Sequence, residues 1–173
     1  ITHAGMRQEP PADCRLQVIY QDRHIRVFNK PAPIPVHPSG RYFQNSMTEV
    51  LRKIFPGEVP RPVHRLDATT TGLIVFALSR QAAGFILKEF KGHRIQKEYL
   101  ALVKGKPEKK QFTLTAPIGV VAGAKRGVGE GILKPQAAST RVEWLASTDT
   151  HSILKVTPLS GRTNQIRVHL SSQ

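Results

Sequence analysis

One stretch of the chain gathers side chains able to do chemistry. His64-Arg65-Leu66-Asp67-Ala68-Thr69-Thr70-Thr71 is a polar loop that runs straight into the apolar Gly72 to Leu78. A carboxylate at the end of such a loop can act as a nucleophile without activating a water. An aspartate there can also be a turn residue that bonds the amides two positions on, and periodicity alone favours that bland role. What is missing narrows the chemistry further. There is no Gly-x-Ser-x-Gly elbow, no His-Glu-x-x-His and no dinucleotide fingerprint. Cys14 is the sole cysteine and the seven histidines are scattered, so neither a metal nor an organic cofactor is expected. Twelve acidic residues in 173 are sparse for the paired carboxylates of a glycosidase.

The elements that must position this loop are readable from pattern. Arg15 to Tyr20 alternates as a strand, and His24 to Asn29 reads as a second. Lys30-Pro31-Ala32-Pro33-Ile34-Pro35-Val36-His37-Pro38 holds too many prolines for a helix or a central strand, so it is an extended, stiff loop. Lys30 and His37 read as braces for it. Ser46 and Glu49 have capping-box spacing, and Met47, Val50, Leu51, Ile54 and Phe55 share one face of the helix they would start. Pro56-Gly57 stops it.

Gly72 to Leu78 predicts a buried strand. Ser79 caps a helix through Phe90, with Ala83, Ile86, Leu87 and Phe90 on one face. Lys97 to Lys104 and Phe112 to Ile118 read as strands. Gly119 to Lys134, which contains Gly123-Ala124-Lys125-Arg126-Gly127-Val128-Gly129, reads as a flexible basic surface loop. Ser139 to Ala146 and Ser152 to Pro158 form a hairpin, and Thr163 to Ser171 starts a helix. The order implies one α+β domain: a mixed, mainly antiparallel sheet with flanking helices.

Charge points to the partner. Twenty-six Lys and Arg against twelve Asp and Glu give +14 at pH 7, which attracts polyanions and speeds their capture. RNA or DNA is the first candidate and an anionic membrane surface the second. Lys88, Lys91, Arg94, Lys104, Lys106, Lys109 and Lys110 are candidates for gripping a phosphate backbone, with a solvated face as their common alternative. No apolar run is long enough to span a bilayer, so no membrane partner is expected. One thiol cannot build a disulfide framework. A monomeric cytoplasmic protein is the expectation.

Four segments in order carry a specific resemblance. His64-Arg65-Leu66-Asp67-Ala68-Thr69-Thr70-Thr71-Gly72-Leu73 closely resembles the His-Arg-Leu-Asp-x-x-Thr-Ser-Gly-Leu signature of the RluA-type RNA pseudouridine synthases. Asn29-Lys30-Pro31-Ala32 is similar to the family's Asn-Lys-Pro motif. Lys97-Glu98-Tyr99-Leu100-Ala101-Leu102-Val103-Lys104-Gly105 looks like its Lys-x-Tyr-x-Ala-Leu-Val-x-Gly motif. Gly161-Arg162-Thr163-Asn164-Gln165-Ile166-Arg167-Val168-His169 looks like its Gly-Arg-Thr-His-Gln-Ile-Arg-Val-His motif.

The resemblance implies a cofactor-independent isomerisation of uridine to pseudouridine in ribosomal or transfer RNA. By it, Asp67 is the nucleophile, Tyr99 the aromatic group on the target base, and Arg162 the partner of the carboxylate. Arg65, which would enter the RNA near the vacated base, is implied to bind RNA, as are His64, Arg167 and Lys97. Taken singly, Tyr99 is more readily a sheet tyrosine and Arg162 a surface residue at a helix start.

Thr71 stands where the family usually has Ser, and Asn164 where it has His. The family's Gly-x-Pro-Ile-x-Gly-Asp segment is absent. Residues 1–14 read as a linker or the tail of an S4-like domain. Residues 15–173 then form a catalytic domain lacking its C-terminal part. A non-catalytic RNA-binding module and a nucleoside hydrolase are the competing classes.

Overall fold

The structure, a computed structural model, describes residues 8–123 and 125–173. Two compact units meet in sequence between Gly92 and His93.

The first unit is a four-stranded sheet with two helices. Its strands are β1 (Gln17–Gln21) and β2 (Ile25–Lys30). Helix α1 (Met47–Ile54) follows, then β3 (Arg61–Pro62), β4 (Gly72–Ala77) and helix α2 (Arg80–Lys91). The sheet order is β1-β2-β4-β3 and every ladder in it is antiparallel. Alternation on β2 sends Arg26, Phe28 and Lys30 to the buried side. Phe28 meets Phe76 edge to face at 5.5 Å. Full burial of side chains such as Phe28 and Ile74 contributes about 1.5–3 kcal/mol each. Val63, Ala77 and Ala82 form a second core, joined by Ala83, Ile86 and Phe90 of α2.

The second unit comprises β5 (Tyr99–Lys104), β6 (Gln111–Leu114), β7 (Ile118–Ala122), β8 (Lys125–Gly127) and β9 (Leu133–Gln136). It ends with β10 (Thr140–Ser147), β11 (His151–Pro158) and helix α3 (Gln165–Ser171). One sheet has the order β5-β11-β10-β6 and the other β8-β7-β9. Val142, Leu154 and Val156 make its core with Tyr99, Ala101 and Val103 of β5 and Ile166 and Leu170 of α3. The α+β reading holds, and among the described residues every strand ladder is antiparallel.

Several local expectations change. Ser46 stands at the N-cap of α1, but its hydroxyl donates to the Phe43 carbonyl and Glu49 pairs with Arg52, so no capping box forms. Ile54 is exposed, and so is Leu73 in the strand expected to be wholly buried. Phe112 to Ile118 splits into β6 and β7 because Pro117 lies between and has no N–H to continue a ladder.

The 119–134 stretch is not a loop but the β8-β7-β9 sheet; its Ala124 lies outside the described residues. Val120 and Val121 supply strand propensity. Gly123, Gly129 and Gly131 take positive φ where the chain turns.

Of the expected linker, residues 1–7 lie outside the described residues. Glu9 is well placed: its carboxylate accepts the amides of Phe43, Gln44 and Asn45 at 2.8–2.9 Å. Among the described residues, no helix is long and apolar enough to cross a membrane.

Candidate active site

The Asp67 loop is built from its flanks inward. Val63 and Leu66 are buried and anchor it. His64 turns inward: its Nε2 accepts the Val75 amide at 3.1 Å and its ring lies 5.1 Å from that of Phe90. This ties the loop to β4 and α2. Arg65 is exposed and Asp67 is half-buried. The Asp67 main-chain carbonyl accepts the Thr70 amide at 3.0 Å, closing a backbone turn at the end of the loop.

The residue that sequence reasoning undervalued here is Lys30. It is wholly buried, and its ammonium donates to the carbonyls of Ile34 (2.7 Å), Pro31 (2.9 Å) and Ala68 (3.1 Å). Ala68 also accepts the Ile34 amide at 3.0 Å. The Pro-rich loop and the Asp67 loop are thus one braced structure. Burial pushes the Lys30 ammonium down to about 8, and the nearby Asp67 carboxylate pulls it back up.

In the second unit, Lys97, Tyr99, Arg162 and Arg167 sit on neighbouring elements. Tyr99 opens β5 opposite Val156 and packs on the core. Lys97 approaches the Ser160 carbonyl at 3.5 Å, and burial lowers its pKa. The exposed Arg162 donates its Nε to the Ala137 carbonyl at 2.9 Å. Arg167 is exposed on α3 and bonds Asn164 Oδ1 at 2.8 Å. Asn164 precedes α3 at φ 59, a left-handed conformation that asparagine tolerates better than most residues.

Sequence reasoning missed the buried polar residues beneath this edge: Thr140, Gln165 and His169, at 0%, 5% and 0% exposure. Gln165 and His169 were inside a quoted motif; nothing in the sequence tied them to Thr140. Among the described residues, no three His, Cys, Asp or Glu side chains converge as a metal site.

The first unit thus holds one half-buried aspartate on a braced turn, and the second exposes Arg162 just before α3 and Arg167 on it. The profile of the RNA pseudouridylate synthase family matches residues 24–172. The chain belongs to that family, and the RluA-type resemblance of its four motifs is borne out.

It is 37% identical over 177 residues to the mitochondrial tRNA pseudouridine(32) synthase of Saccharomyces cerevisiae, covering 98% of this chain and 37% of that protein. It is 33% identical to the dual-specificity RNA pseudouridine synthase RluA of Haemophilus influenzae, covering 96% of this chain and 76% of the relative. The solved structure of human RNA pseudouridylate synthase domain containing 1 superposes with a TM-score of 0.78 at 30% identity. That match covers 95% of this chain and 68% of the other. The chain therefore spans well under half the length of the yeast relative.

Proposed function

We propose that this protein isomerises uridine to pseudouridine in ribosomal or transfer RNA, with Asp67 as nucleophile. The observation that carries the reading is the Asp67 turn, half-buried and braced by the buried Lys30, within the most specific of the family motifs. The reaction breaks the bond from ribose C1′ to uracil N1, turns the base, and rejoins C1′ to C5. The hydrogen on C5 leaves as a proton and the freed N1 takes one up, so atoms balance with no cofactor. An ionised carboxylate serves as the nucleophile.

Tyr99 supplies an aromatic face for the base and Arg162 the cation for the carboxylate. Arg65, Lys97 and Arg167 hold the RNA. His64, turned inward, acts in this reading by shaping the loop that carries Arg65 and Asp67. Extracting the base from its stack costs a few kcal/mol, and basic contacts to the backbone offset that. An exposed lone thiol, Cys14, suits a reducing compartment, and we place a monomer in the cytoplasm.

The test is tritium release from RNA labelled at uridine C5, comparing the full-length protein with its Asp67→Asn variant. Release by the parent and none by the variant is expected. Full release by Asp67→Asn would remove the nucleophile from this reading. Arg162→Ala and Arg167→Ala separate the arginine roles. Arg162→Ala should lower kcat with RNA affinity kept, and a kcat loss confined to Arg167→Ala would move the carboxylate role there.

A further inference from the structure

We infer that Gln165, locked by Thr140 and His169, is a positioning residue for the basic edge that carries Arg162 and Arg167. The inference rests on the functional reading above.

Gln165 is buried at the first position of α3, and its carboxamide is fully engaged. Its Oε1 accepts the Arg162 amide at 2.9 Å and the Ser160 hydroxyl at 2.8 Å. Its Nε2 donates to the Ser139 carbonyl at 2.9 Å and to Thr140 Oγ1 at 2.9 Å. An amide N–H can only donate and a carbonyl can only accept, so the carboxamide has one permitted orientation.

That orientation propagates. Thr140 Oγ1 already accepts from Gln165, and His169 Nδ1 lies 2.8 Å away. On the other side of the ring, Nε2 faces the Ala116 carbonyl at 2.9 Å, which can only accept. Nε2 therefore donates to Ala116, and in the neutral ring Thr140 donates its own proton to Nδ1. Each donor and acceptor in the run Ala116, His169, Thr140, Gln165, Arg162 then has one assignment. A buried network satisfied throughout is rigid, and removing a member leaves its neighbours unsatisfied.

The network reaches Arg162 twice. Gln165 holds its backbone amide, and Ala137, two residues before Ser139, holds its guanidinium through Nε. Ala137 and Ser139, whose carbonyl takes Gln165 Nε2, both lie in the short connection between β9 and β10. On α3, Gln165 and His169 are four residues apart on the inward face, which leaves Arg167 between them turned outward and exposed. The loop before α3 and the direction of α3 are fixed from one buried point. A general packing role would not require four directed bonds on one side chain.

The experiment compares Gln165→Leu and the near-isosteric Thr140→Val with the full-length parent. Single-turnover isomerisation should slow about 10- to 100-fold, with RNA affinity falling by no more than Arg167→Ala lowers it, while Thr140→Ser restores the rate. A double-mutant cycle adds a readout that global destabilisation would not move. Gln165→Leu should cost little more once Arg162→Ala or Arg167→Ala is already present, whichever of the two carries the kcat loss. Full additivity with both arginine variants overturns the inference.

A second arm does not depend on activity: hydrogen exchange at the Arg162 amide and Nε. Both should be protected in the parent and lose protection in Gln165→Leu, while β10 and β11 amides keep theirs. Unchanged protection at Arg162 overturns the inference. If the parent releases no tritium, the functional reading fails and the exchange result still decides whether Gln165 holds Arg162.

Discussion

The Lys30 ammonium and the Ala68 carbonyl are joined at 3.1 Å across 38 positions of sequence, which puts a buried cation one residue from Asp67. An ammonium has three donors, and all three of Lys30's end on carbonyls. None is left for a substrate, so its work is to hold the two loops together.

Lys30→Met should therefore act on stability more than on rate. It leaves the Pro31 and Ile34 carbonyls without their donor in a buried place, at a cost of about 1–3 kcal/mol for each such group. A fall of about 2 kcal/mol in unfolding free energy is expected, with kcat of the folded fraction within tenfold of the parent. The pH dependence follows from the depressed pKa. Between about 8 and the ordinary 10.5, the unfolded chain binds more protons at this group than the folded one. Stability from Lys30 thus rises with pH across that window and is lost as pH falls through about 8. Denaturant titrations should show a shallower alkaline rise in the variant. A kcat loss of a thousandfold at unchanged stability would contradict the bracing role.

Ser79 and Ser46 both precede helices, but only Ser79 caps with its side chain, accepting the Ala82 amide at 3.1 Å. Ser79→Ala should cost about 1 kcal/mol, read as a lower denaturation midpoint with an unchanged m-value. A neutral result would mean that the cap is satisfied by water equally well.

These two serines show how far the sequence was legible. A serine before an apolar-periodic run marks a helix start, and both helices are there. Which hydroxyl closes the cap depends on the preceding chain, and at Ser46 the Phe43 carbonyl captures it. The alternating strands β5 and β11, and β10 up to its bulge after Trp144, were readable because one face of each is buried. The 119–134 segment was not. Its glycines look like loop punctuation until the pairing of Gly119 with Gly127 is seen, and that pairing is tertiary information. Of the residues proposed for chemistry, Asp67, Tyr99 and Arg162 stood out through their motifs. Thr140 and Ala116 could not, because their bonds reach residues 25 to 53 positions away.

Glu9 predicts a local pH response. Three backbone amides, those of Asn45, Gln44 and Phe43, hold its carboxylate below the usual value of 4.5. A depressed folded pKa contributes stability above the unfolded value, and this is lost as pH falls through the folded one. Protection factors of the Phe43, Gln44 and Asn45 amides should be constant above about pH 5 and fall below 4.5, and Glu9→Gln should flatten that profile. Protection in the parent that does not change with pH would separate the clasp from the charge of Glu9.

Two glycines, Gly84 and Gly119, should respond in opposite directions to the same added methyl group. At Gly84, in the exposed interior of α2, a Cβ meets nothing within 4 Å. Glycine there is only a helix-propensity cost, so Gly84→Ala should stabilise by about 0.5–1 kcal/mol. At Gly119 the Cβ would sit 2.7 Å from the Leu133 carbonyl and 2.9 Å from Ile132 Cβ. The obstacle is the backbone of the paired strand β9 and cannot rotate away. Gly119→Ala should destabilise by about 1–3 kcal/mol, as overpacking does. Exchange should rise first at Val120 and Leu133, the pair beside the clash. Thermal melts of the two variants, run together, decide the point. A stable Gly119→Ala with β7 and β9 amides still protected would mean that these strands separate at little cost, and that the basic sheet is looser than its close pairing implies.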